Sequence, residues 1–173
     1  MPPTEPTEDI DRLSTVALAD GLRIAVVESL TSGGLAHAVG AGEAASTWFA
    51  GGIVAYMTDV KQHLLHLPAG VDPCSAECAE QLAVGGLELF AADICVATTG
   101  VGGPDAEDGH PAGTVYLGWA LHDRHGHEHL QLEGGPDAVM AATIDAAIRM
   151  LRARAEEFSA YAGHLEPQPH HGA

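Results

Sequence analysis

Lysine is almost absent from this chain. Lys61 is the single lysine, and the remaining strong bases are Arg12, Arg23, Arg124, Arg149, Arg152 and Arg154. Seven bases face 24 acids, for a formal net charge of −17. A surface of that sign repels phosphate backbones and anionic headgroups, which argues against nucleic acid or a membrane as partner. Long hydrophobic runs are also missing: none approaches the ~18 residues that span a bilayer. Met1-Pro2-Pro3-Thr4-Glu5 offers neither a basic nor an apolar stretch, so no signal peptide is expected. Cysteine is scarce and odd in number: Cys74, Cys78 and Cys95. A reduced, cytoplasmic protein suits that usage better than a disulfide framework.

What remains is a globular balance, 46% hydrophobic and 18% charged. The length suits one domain that buries a core without disulfides or metal. That domain is expected over 9–160, with disordered tails at 1–8 and 163–173. Apolar spacing predicts helices over 9–20, 31–39, from Thr58 onward, 75–90 and 137–158. Apolar, β-branched runs predict strands at 23–27, 51–56, 93–98 and 113–121. A turn at 123–126 would fold a fifth strand, 127–132, back as a hairpin. Strands alternating with helices, plus one hairpin, imply a three-layer α/β/α fold with a mixed sheet.

Three segments carry chemistry. Glu28-Ser29-Leu30-Thr31-Ser32-Gly33-Gly34 lies where a strand turns into a helix, the edge at which open α/β sheets bind ligands. One hydroxyl there would serve as a helix cap. Several crowded into one turn, followed by glycines, point to a ligand. The second segment runs from Gly51 to Lys61. Tyr56 is expected to end the strand and Lys61 to lie one turn into the next helix, both near Ser29. A surface charge tolerates arginine; a proton shuttle does not, because arginine stays protonated. A single surviving lysine therefore suggests a need for an amine. The third segment, Gly100 to Ala112, includes Gly102, Gly103 and His110 and reads as a backbone-rich loop at the same edge.

These motifs, in this order, resemble the CinA C-terminal domain family over roughly residues 9–155. The resemblance rests on Glu28-Ser29-Leu30-Thr31, Ala45-Ser46-Thr47-Trp48-Phe49, Gly51-Gly52-Ile53-Val54-Ala55-Tyr56, Lys61, Cys74-Ser75-Ala76-Glu77, Thr99-Gly100-Val101-Gly102-Gly103-Pro104 and Pro111-Ala112-Gly113-Thr114-Val115. Enzymatic members of the family are nicotinamide-nucleotide amidases. The resemblance thus implies hydrolysis of the carboxamide of nicotinamide mononucleotide (NMN), with no metal or cofactor, in a homo-oligomer. Ser29 is the first candidate nucleophile and Ser46 the second. Lys61 would be base and then acid, with Tyr56 orienting it or relaying its proton. Glu28, Thr31, Ser32, Thr58, Gly100, Gly102, Gly103 and His110 are candidate substrate-binding residues.

The chain departs from the family pattern at the last helix. Two arginines of the enzymatic members are replaced here by Pro136 and Met140. That departure leaves a second reading open, a non-catalytic nucleotide-sensing or partner-binding relative. A further alternative is a weak metal site at His122, His125, His127 and His129, with Asp123 and Glu128 nearby; a solvated hairpin tip is the plainer expectation.

Overall fold

The computed structural model of the chain describes residues 6–164. Five strands form one mixed sheet in the order β2-β1-β3-β4-β5. They are β1 (Ile24–Glu28), β2 (Phe49–Val54), β3 (Ile94–Gly100), β4 (Thr114–Leu121) and β5 (Arg124–Gln131). Both β2 and β3 run parallel to β1, β4 runs antiparallel to β3, and β5 runs antiparallel to β4. The helices are α1 (Pro6–Asp20), α2 (Gly34–Gly40), α3 (Ala45–Trp48), α4 (Thr58–Leu65), α5 (Ala76–Leu89) and α6 (Pro136–His164).

The central strands are apolar on both faces because both faces are covered, as parallel sheets require. On one face Ile24 and Val26 of β1 and Val96 of β3 pack against Leu13 of α1, Leu35 of α2 and Leu151 of α6. On the other face Ala25, Val27 and Ala97 meet Leu65 of α4 and Leu82 of α5. The result is the three-layer arrangement expected from the alternation of strands and helices. Helix α5 sits very close to β4. A Cβ on Gly118 would lie 1.9 Å from the Ala79 carbonyl oxygen, so only glycine permits that approach.

Several boundaries differ from expectation. Residues 6–8 belong to α1 and residues 163–164 to α6, so neither stretch is a tail. The remaining tail residues, 1–5 and 165–173, lie outside the described residues. Strand β2 stops at Val54 rather than Tyr56. Trp48 is not part of it: the ring closes α3, is buried, and donates from Nε1 to the Glu43 carbonyl at 3.0 Å. The hairpin turn falls at His122-Asp123, and β5 begins at Arg124, earlier than the turn chemistry suggested.

The chain leaves β1 for β2 on one side and later returns as β3 on the other. That reversal opens a crevice at the carboxyl ends of the parallel strands. Ser29, Tyr56 and Val101 all follow those ends.

Candidate active site

A cleft of about 340 Å³ lies at this edge. It is lined by Ser29 and Leu30 after β1, by Tyr56, Thr58 and Lys61 around the start of α4, and by the Gly100–His110 loop. Pro136, Asp137 and Met140 at the start of α6 close the far side.

Lys61 is the centre of the site. Its position in α4 turns the side chain back toward β1, where it is 2% exposed. Its Nζ donates to Ser29 Oγ at 3.1 Å and to the Tyr56 carbonyl at 2.9 Å. Burial lowers the Lys61 pKa below its ordinary 10.5, and the acidic neighbours Cys78 and Glu107 only partly oppose that. Ser29 is itself 7% exposed, with its side chain at the cleft wall. A buried amine with a lowered pKa, in hydrogen-bond reach of a hydroxyl, is the arrangement that activates a serine nucleophile. Cys74 also lines the cleft, but burial and nearby acidic groups push its thiol up to about 11, so it stays protonated.

The other predicted site residues divide cleanly. Thr58, Gly100, Gly102, Gly103 and His110 line the cleft. A Cβ on Gly102 would meet open space, while Gly103 sits at φ 91°, a conformation that favours glycine. His110 Nε2 lies 2.7 Å from Oδ2 of Asp72. The Gly103–Pro104 peptide bond is cis.

Tyr56 is 63% exposed, and it meets Lys61 through its backbone carbonyl. Ser46 does not reach the cleft. It is exposed in α3, before the first residue of β2, and β2 runs parallel to β1. The length of β2, about 20 Å at ~3.3 Å per residue, therefore separates Ser46 from the Ser29 edge.

Glu28, Thr31 and Ser32 are structural here and do not line the cleft. The buried Glu28 carboxylate accepts the N–H groups of Gly33 and Leu35, each at 3.0 Å, and of Ala36 at 2.8 Å. It satisfies the start of α2, which has no side-chain cap from its own N-cap residue, Gly33. Thr31 Oγ1 pairs with Thr98 Oγ1 at 2.9 Å and ties the turn to β3. Ser32 takes a left-handed conformation, with Oγ 3.5 Å from the Ser29 carbonyl.

The histidines of the hairpin have protein partners. His125 and His127 donate from Nδ1 to the two oxygens of Glu80 on α5, at 2.7 and 2.6 Å. His129 stacks on Tyr116, and His122 lies against Phe158. Among the described residues no group of His, Cys, Asp or Glu side chains is arranged to hold a metal.

Sequence reasoning missed Asp72, Cys74 and Asp137 as cleft residues. It did single out the 100–112 loop, which contributes Asp105, Glu107 and Asp108 to the wall. Asp72 has no local signal, because its place depends on contact with His110, 38 positions later.

The fold is a two-sided α/β sheet with a buried Ser–Lys contact at its switch point. The chain belongs to a specific family within that architecture: residues 8–155 match the CinA C-terminal domain. A competence-damage inducible protein from Bacillus anthracis is 34% identical over 155 residues, covering 87% of this chain and 35% of that protein. A relative of the same name from Bacillus cereus is 36% identical over 82% of this chain and 32% of its own length. The chain thus spans about a third of these curated relatives. Among solved structures, a competence-damaged protein (CinA) superfamily protein from Klebsiella pneumoniae superposes with TM-score 0.84 at 28% identity, covering 89% of this chain and 99% of that one. An Escherichia coli protein of the same superfamily gives TM-score 0.82 at 30% identity, over 86% and 90% of the two chains.

Proposed function

We propose that the cleft hydrolyses a carboxamide of the nicotinamide-nucleoside type, releasing a carboxylate and ammonia. The observation that carries this reading is the 3.1 Å contact between Lys61 Nζ and Ser29 Oγ.

In the reaction, neutral Lys61 takes the Ser29 hydroxyl proton as Oγ bonds to the amide carbon. The Gly102–Gly103 turn is assigned to the developing oxyanion through backbone N–H groups. The tetrahedral species then loses its C–N bond, and Lys61 returns the proton to the departing nitrogen. Water next attacks the Ser29 ester with Lys61 again accepting its proton. The carboxylate leaves and the Ser29 hydroxyl is restored. The Tyr56 carbonyl keeps Nζ in place throughout.

A second reading, a binding protein that senses nucleotides without turning them over, is favoured by one feature: Pro136 and Met140 occupy the cleft wall where enzymatic relatives are expected to carry arginines. Ammonia release separates the two. The hydrolase reading expects ammonia from a nicotinamide nucleoside or nucleotide with the wild type and none with Ser29→Ala. No ammonia from the wild type favours the sensor. On either reading the reduced thiols and acidic surface suit the cytoplasm.

A further inference from the structure

The cleft carries a charge pattern that amide hydrolysis alone does not require. Asp72, Asp105, Glu107, Asp108 and Asp137 all line it. Among the described residues, the only basic side chains in the wall are Lys61, engaged with Ser29 and Tyr56, and His110, engaged with Asp72. Among the described residues no arginine lines it. Arg12 and Arg152 pair with Glu156 and Asp9 between α1 and α6, Arg124 and Arg154 pair with Glu157, and Arg23 donates to the Phe90 carbonyl.

The start of α6 sharpens the pattern. A helix N-terminus is ordinarily an attractive place for a phosphate. Here Asp137 stands in that first turn and in the cleft wall, so a carboxylate already faces the positive end of the helix. Nor do the wall carboxylates converge as a divalent-cation site among the described residues, which would be one way to recruit a phosphate.

We propose that the cleft selects a carboxamide whose remainder is cationic or uncharged and carries no phosphate: a pyridinium nucleoside in preference to its 5′-phosphate. This rests on the hydrolase reading, and it concerns which substrate the Ser29–Lys61 pair meets. The wall carboxylates attract a pyridinium ring and repel a phosphate dianion. Glu107 lines the same cleft as Lys61 and Ser29, and its charge is felt at Lys61. Asp137 adds a further carboxylate to the wall at the start of α6. Attraction of this kind weakens as salt screens it.

The test is kcat/KM for ammonia release by the full chain, measured with nicotinamide riboside and with NMN, at low and at about 150 mM salt, with and without Mg²⁺. The proposal expects the riboside to be preferred by about tenfold or more at low salt. It expects that preference to shrink at the higher salt and in the Glu107→Gln/Asp137→Asn double variant. Equal or better use of NMN by the wild type at low salt without Mg²⁺ overturns the proposal while leaving the hydrolase reading standing. A preference unmoved by both salt and substitution also overturns it, because shape rather than charge would then select. The salt arm needs no substitution, so a poorly folding variant does not block the test. No ammonia from either compound overturns the hydrolase reading and this proposal together.

Discussion

Lys61 Nζ and Ser29 Oγ, 32 residues apart in sequence, meet at 3.1 Å in a nearly solvent-free corner between α4 and the end of β1. The amine cannot remain fully hydrated there, and burial lowers its pKa. The contact separates the two candidate serines. Ser29→Ala is expected to lower kcat/KM for ammonia release by at least about 1,000-fold, with an unchanged circular-dichroism spectrum. Ser46→Ala should leave kcat/KM within about twofold of wild type, as befits an exposed residue on the opposite edge.

The pH dependence follows from the same amine. Lys61 acts as a base only when neutral, so kcat/KM rises with pH as its proton is lost. Because the pKa is lowered, the midpoint of that rise falls below 10.5. Lys61→Arg keeps a proton across this range and is expected to lower the rate by at least about 100-fold. An inflection at or above 10.5 in the wild type, or substantial activity in Lys61→Arg, contradicts the assignment.

Glu28 supports the site without touching substrate. Its carboxylate takes three backbone N–H groups of the turn that carries Ser29 into α2. Glu28→Gln swaps one acceptor oxygen for an amide that opposes those donors. Chemical denaturation should show a loss on the order of 2–3 kcal/mol. A fully stable Glu28→Gln variant would contradict this role.

Glu80 gives a pH-dependent stability contribution away from the cleft. Partial burial tends to raise its pKa, but the hydrogen bonds and charges of His127 and His125 outweigh that and hold it below 4.5. A carboxylate with a lowered folded-state pKa stabilises above its unfolded value and loses that contribution as pH falls through its folded value. Thermal melts should therefore show Glu80→Gln below wild type at pH 6, with the gap closing as the pH drops below 4.5. A gap that stays constant across that range contradicts the clamp.

The sequence made some of this legible and hid the rest for identifiable reasons. The Ile24–Val27 run is apolar on both faces, so it reads as a buried central strand. Lys61 stood out because every other strong base is arginine. Tyr56 was visible, but its contribution is a backbone carbonyl, which no side-chain pattern reports. Ser46 stood as the second candidate after Ser29, and the parallel pairing of β1 and β2 places the two at opposite ends of the sheet. Glu28 resembled a ligand-binding acid because its inward turn toward α2 depends on three-dimensional closure. The histidine row on β5 suggested a metal because its true partner, Glu80, lies 45 residues before His125 on another element. The acidity of the cleft was also out of reach, since it is assembled from Asp72, the 105–108 loop and the start of α6.

The most direct test of the central claim is a double-mutant comparison of kcat/KM for ammonia release. Wild type, Ser29→Ala, Lys61→Ala and the double variant are measured side by side on the preferred amide. Residues that act as one catalytic unit lose their effect together. The Ser29–Lys61 account predicts that each single variant falls to nearly the same low rate and that the double variant falls no further. Losses that multiply in the double variant, or a Lys61→Ala enzyme that keeps wild-type turnover, would contradict it.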